Sequence, residues 1–160
     1  MKTLVVYYSR SGTTKNVAET IARRLRAEIE ELVPIKGYAG FFGFLRGGFQ
    51  ASFKATPVIR DLKTDPSAFE LLVIGTPVWA SKIAPPVRTF IKNHKSKFKK
   101  VACFCTSGSV AGSLKDGNAL VEMAEYCGIK PVATAGFQQK MAAEKNFAQK
   151  LDEFLKEISR

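Results

Sequence analysis

The feature that most constrains this chain is an alternation running along its whole length. Short apolar runs are each followed by a segment whose apolar residues recur at helical spacing. Leu4-Val5-Val6-Tyr7-Tyr8 reads as a first strand. After a polar loop, Val17, Ile21 and Leu25 recur every four residues beside Ala18 and Ala22, giving one apolar helix face with charges opposite. Glu28 to Val33 reads as a short second strand stopped by Pro34. Leu71-Leu72-Val73-Ile74 is apolar on both faces, as suits a central parallel strand covered by helices. Pro85-Pro86 opens a helix through Val87, Phe90 and Ile91, because proline fits a first turn. Val101 to Cys105 is a fourth strand, Leu114 to Cys127 a helix closed by Gly128, and Val132 to Phe137 a weaker fifth strand. Phe147, Leu151, Phe154, Leu155 and Ile158 stripe a last helix.

Such alternation produces βαβ units and a parallel sheet. The expectation is an α/β fold: a three-layer, doubly wound, five-stranded parallel sheet in one domain spanning residues 1–160. No apolar run approaches the roughly 20 residues of a membrane span. Met1 to Ser9 lacks the charged start and cleavage site of a signal peptide. Cys103, Cys105 and Cys127 have no metal-ligand spacing, so no metal is expected, and an odd count suits a reducing compartment. Cytoplasm is the expected location. Cys103 and Cys105 read as small buried hydrophobes on one side of a strand.

Ligands of doubly wound sheets bind beyond the carboxyl ends of the strands, where the strand order reverses. That restricts the chemistry to the loops after the first, third and fourth strands. The first is Ser9-Arg10-Ser11-Gly12-Thr13-Thr14, leading straight into a helix. Four hydroxyl residues around a glycine, at a helix N-terminus with free N–H groups, make a cradle for an anion. Simple N-capping needs only one such residue. The loop is neither a dinucleotide fingerprint nor a Walker A motif. Read alone, it suggests a phosphate monoester.

This loop resembles the phosphate motif of the flavodoxin family, Thr/Ser-x-Thr/Ser-Gly-x-Thr, matched by Ser9, Ser11, Gly12 and Thr14. The resemblance implies a flavodoxin-like sheet in the order 2-1-3-4-5 and FMN as cofactor; flavodoxin, with FMN at its switch point, is a reference example of this fold. The second loop, Gly75-Thr76-Pro77-Val78-Trp79-Ala80, resembles the family's first flavin loop. An indole stacked on a flavin gains about 0.5–1.5 kcal/mol beyond burial, whereas the alternative is a tryptophan plugging the core. The third loop, Thr106-Ser107-Gly108-Ser109-Val110-Ala111-Gly112, is small and hydroxyl-rich, which lets backbone approach a planar ring. The cofactor set that the resemblance implies is therefore Ser9, Arg10, Ser11, Gly12, Thr13 and Thr14 for the phosphate. Thr76, Pro77, Val78 and Trp79 would line one ring face, and Thr106, Ser107, Gly108 and Ser109 its other side. No catalytic side chain is expected, since the flavin carries the chemistry.

Two departures from the family stand out. Many electron-carrying flavodoxins place a tyrosine in the third loop, and this loop has no aromatic, which leaves one flavin face open and suits hydride or quinone chemistry. Those carriers are also typically acidic, whereas this chain has a net charge of +11. Such charge attracts an anionic partner. The first expectation is an FMN protein carrying electrons between partner proteins, one of them acidic. The alternative is an NAD(P)H-dependent quinone or flavin oxidoreductase on the same fold, and a more distant one is a non-redox anion-binding module.

Lys92, Lys95, Lys97, Lys99 and Lys100 cluster at one helix end, read first as a solvated face, then as an anionic docking patch, and last as a nucleic-acid site. His94 is expected to be exposed among them. An insertion at 37–54 places Phe41, Leu45, Phe49 and Phe53 at i, i+4, i+8 and i+12. Extra core over the sheet edge is the expected role; a lid, a homodimer patch and a membrane contact are the alternatives.

Overall fold

Leu4, Val6, Leu72, Ile74, Val101 and Cys103 face one side of a central sheet, and Val5, Tyr7, Leu71, Val73, Ala102 and Phe104 face the other. This split is the period-2 geometry of buried strands. The computed structural model describes residues 1–108, 114–138 and 145–160. The parallel strands are β1 (Thr3–Tyr7), β2 (Glu28–Glu31), β3 (Leu71–Trp79), β5 (Lys100–Ser107) and β6 (Thr134–Gln138), in the order β2-β1-β3-β5-β6. Omitting the short β4 (Lys82–Ile83), this is the expected 2-1-3-4-5 arrangement. All five residues of β1 are buried because neighbouring strands flank it and helices cover both its faces.

Helices α1 (Thr13–Leu25) and α5 (Lys145–Ile158) cover one face through Val17, Ile21, Leu151 and Phe154. Helices α3 (Pro85–His94) and α4 (Leu114–Cys127) cover the other through Val87, Phe90, Ile91, Ala119 and Met123. The three layers are thus formed. Among the described residues, no helix is long and apolar enough to cross a membrane, and no cluster of His, Cys, Asp or Glu could hold a metal.

The strand β4 was not legible in the sequence. It pairs antiparallel with the end of β3, Val78 with Ile83 and Trp79 with Lys82. The turn residues Ala80 and Ser81 have φ of 48° and 62°, the two positive values that a two-residue hairpin turn requires. Glycine or asparagine normally signals such a turn, and neither is present.

The 37–54 insertion forms α2 (Gly40–Ser52), but with the opposite face inward from the one expected. Gly43, Gly47 and Ala51 are buried, whereas Phe41, Phe42, Phe44, Leu45, Phe49 and Phe53 are exposed. The reason is close approach. A Cβ at Gly43 would lie 2.4 Å from the Tyr38 carbonyl carbon, and one at Gly47 would lie 2.6 Å from the Trp79 ring. Glycine permits that contact where larger residues cannot. The phenylalanine stripe is therefore not additional core.

Candidate cofactor-binding site

The helix α1 starts at Gly12, whose φ of 95° lies in the left-handed region that favours glycine. No side chain caps this N-terminus. The Ser9 hydroxyl instead accepts the Gly12 N–H at 3.1 Å, which braces the loop. A helix N-terminus left without a side-chain cap directs N–H groups and positive dipole toward the space beyond it. Thr14 is buried, and its hydroxyl lies 2.8 Å from that of the buried Thr106 at the end of β5. One hydrogen bond therefore joins the first loop to the third.

Between these loops is a cleft of about 190 Å³. Arg10, Ser11, Thr13 and Thr14 line it from the first loop, Pro77, Val78 and Trp79 from the second, and Thr106, Ser107 and Gly108 from the third. These ten of the predicted residues converge. Ser9 and Gly12 shape the loop without lining the cleft. Thr76 does not line the cleft: it is fully buried, its hydroxyl donates to the Pro77 carbonyl and accepts the Ala84 N–H, so it braces β3 against the start of α3. Ser109, with Val110 to Gly112, lies outside the described residues.

Trp79 is both wall and structural contact. Tyr8 and Tyr38 meet its ring edge-on, with centroids 5.6 and 5.1 Å away, and Gly47 closes on it from α2. Burial, followed by the neighbouring Tyr38, pushes the Tyr8 phenol up to about 12, so it stays neutral beside the loop. Sequence reasoning did not place Phe44 in this cleft; it is contributed by α2 and lies under the Arg10 guanidinium, 5.0 Å from guanidinium carbon to ring centroid. Arg10 also donates from Nε to the Tyr38 carbonyl at 3.2 Å. It is an anchored charge and not a freely solvated one. Among the described residues, the cleft lining contains this one cation and no carboxylate. Lys15, just beyond, lies 3.9 Å from Glu31 on the surface.

Hydroxyls, an uncapped helix start, a tethered guanidinium and, among the described residues, no acid fit a phosphate monoester, and the apolar wall of Pro77, Val78 and Trp79 fits a flat ring. Residues 1–143 match the NADPH-dependent FMN reductase family.

The chain belongs to that family.

It is an FMN-binding flavoprotein with a flavodoxin-like fold. It is similar to a flavoprotein from Lactobacillus acidophilus NCFM solved in complex with FMN, at 27% identity over 92% of this chain and 98% of that one, with a TM-score of 0.70. A flavoprotein from Bacteroides eggerthii DSM 20697 shares the fold at 23% identity over 96% and 98% of the two chains, TM-score 0.73. Oxidised Flavodoxin 1 from Bacillus cereus does so at 16% identity over 100% and 99%, TM-score 0.59. Comparison with curated proteins gives no match.

Several other charged and nucleophilic residues are engaged away from this cleft. Cys103, Cys105 and Cys127 are buried; the hydrogen bond with Cys127, then burial, pushes the Cys103 thiol up, which favours the protonated form. In the lysine cluster, Lys97 pairs with Asp65 at 3.1 Å and Lys99 donates to the Ser67 carbonyl. His94 is not exposed among these lysines: it is half-buried, with its ring 5.3 Å from that of Phe90.

Proposed function

We propose that the protein is an FMN-dependent oxidoreductase that takes hydride equivalents from NAD(P)H and passes them to a small acceptor, a quinone or a second flavin. This moves the emphasis from the electron carrier that the sequence first suggested to its alternative. The observation that carries the reading is the cleft's composition among the described residues: a tethered Arg10, no carboxylate, and no aromatic in the third-loop stretch Thr106 to Gly108. Membership of a family described as NADPH-dependent reductases supports the same choice.

Bound FMN would supply the two-electron chemistry, and the protein would supply position and electrostatics. Ser11, Thr13 and Thr14, with the α1 N–H groups, would hold the phosphate, with Arg10 adding charge and Ser9 and Gly12 fixing the loop. Pro77, Val78 and Trp79 would form the apolar wall, with Thr76 bracing it from behind. Thr106, Ser107 and Gly108, continued by Ser109, would present polar groups to the ring edge. Arg10 would favour negative charge in the cleft, that of the phosphate and that gained on reduction.

Anaerobic mixing of the FMN-loaded protein with NADPH or NADH tests this. Bleaching near the flavin's visible maximum without any other protein, followed by turnover with a quinone or free flavin, is the expected result. A flavin inert to both nucleotides yet reduced by a partner reductase would return the protein to the carrier class.

A further inference from the structure

The outward face of α2 gathers six of the large hydrophobic residues exposed among the described residues. Phe41, Phe42, Phe44, Leu45, Phe49 and Phe53 are all at least half exposed, Phe42 at 84% and Phe53 at 71%. At 100° per residue they spread over about half the helix circumference. The opposite side, Gly43, Gly47 and Ala51, is the buried one. A contiguous apolar face of this kind marks an interaction surface. Its charge surroundings select the partner. Between Glu31 and Asp61 the chain has no acidic residue but four cations, Lys36, Arg46, Lys54 and Arg60. Arg46 is committed to the Lys36 and Gly37 carbonyls, while Lys36, Lys54 and Arg60 are exposed. A second copy docked symmetrically would oppose these cations to themselves, with no acid in the segment to offset them. An anionic lipid surface would complement them.

We propose that α2 is a membrane-surface docking helix. Its phenylalanines enter the boundary between headgroups and acyl chains, and Lys36 and Lys54 meet anionic headgroups, the arrangement by which amphipathic helices lie in the interfacial plane; Arg60 shares a surface pocket with Glu30, Glu31 and Asp61 and is not part of this contact. The helix is about 20 Å long, too short to span a bilayer but adequate to lie on one. Phe44 belongs both to this face and to the cleft lining, so docking brings the cleft mouth to the lipid.

The test is flotation of the FMN-loaded full chain with vesicles, either phosphatidylcholine alone or phosphatidylcholine mixed with phosphatidylglycerol. The protein is expected to float with the mixed vesicles and to be released by added salt. Phe42→Ser/Phe53→Ser, neither residue lining the cleft, should weaken flotation by about tenfold or more while leaving the flavin absorbance intact. Lys36→Glu/Lys54→Glu should abolish the preference for phosphatidylglycerol. Three outcomes overturn the proposal: wild-type protein that stays down with mixed vesicles, phenylalanine variants that float equally well, or a sedimentation-velocity dimer dissolved by the phenylalanine changes. The last would make the face a self-interface. Flotation requires no turnover, so its result stands apart from that of the nucleotide-reduction experiment.

Discussion

The Arg88 guanidinium lies 3.1 Å from the Glu122 carboxylate, both side chains being buried. The same guanidinium donates to the carbonyls of Ala51, Ala55 and Ile83, and Glu122 also accepts the Ile83 N–H. One ion pair thus gathers the end of α2, the strand β4, and helices α3 and α4. It lies behind the wall that carries Trp79.

Removing one member strands the other in the interior. Arg88→Met is expected to lower unfolding free energy by about 3–5 kcal/mol, because it leaves Glu122 buried without its partner. The double change Arg88→Met/Glu122→Met should recover part of that loss. Urea unfolding followed by Trp79 fluorescence measures both; equal losses in the single and double variants would show that the pair is not the relevant unit.

Two adjacent glycines of α2 should respond in opposite directions. Gly47→Ala drives a methyl into the Trp79 ring and is expected to cost about 1–3 kcal/mol through overpacking, less any helix-propensity gain. At Gly48 a Cβ meets nothing within 4 Å, so Gly48→Ala should stabilise by up to about 1 kcal/mol. Paired thermal melts read the contrast. A stabilised Gly47→Ala would mean that α2 does not sit tightly on the indole.

The contact of Thr14 with Thr106 ties the first and third loops of the cleft together. Thr14→Val leaves a buried hydroxyl with its partner removed, a loss of about 1–3 kcal/mol, and loosens the cradle. FMN affinity, measured by quenching of free-flavin fluorescence, is expected to fall about tenfold. Thr14→Val/Thr106→Val should regain stability without regaining affinity. Unchanged binding in both would place the phosphate elsewhere.

Arg10→Ala removes the one cation among the described residues lining the cleft. A charge-assisted contact to phosphate predicts about a tenfold loss of FMN affinity, with a steeper dependence on salt in the wild type. The flavin's midpoint potential should shift to more negative values, because reduction adds negative charge that Arg10 would otherwise balance. Affinity and potential both unmoved would make Arg10 a purely structural tie to Tyr38 and Phe44.

His94 supplies a pH dependence. Burial, and secondarily Lys97, lowers its pKa below the ordinary 6.5. The unfolded chain therefore binds this proton more readily than the folded one, so stability falls as pH drops from about 7 through the ordinary histidine pKa toward the depressed folded value. Denaturant midpoints compared at neutral and mildly acidic pH should show a decline that His94→Asn reduces. The same slope in both proteins would assign the effect to other groups.

The parallel sheet was legible because each strand is a compact apolar run and each helix carries one stripe. That the three loops meet in one cleft was legible because ligands of this sheet type bind beyond the carboxyl ends of the strands, which left only these loops to supply a site. The orientation of α2 was not. Its phenylalanines and its small residues repeat with the same spacing, so periodicity alone cannot choose which stripe faces inward. Hydrophobicity favoured Phe41, Leu45, Phe49 and Phe53, whereas the packing distance to Tyr38 and Trp79 is set by Gly43 and Gly47. The position of the Thr76 side chain was not legible for a related reason: a threonine beside a proline at a strand end can present its hydroxyl to a ligand or to backbone, and the Ala84 N–H captures it here. Phe44 enters the cleft only once that helix has a position.

The inward seam of α2 has an evolutionary corollary. Because the helix is seated by two glycines and an alanine, its outer phenylalanines other than Phe44, which packs on Arg10, answer to whatever they meet and not to the domain beneath. Drift at those positions changes what the helix meets while the redox scaffold stays untouched, much as a coupling is swapped on an unaltered engine.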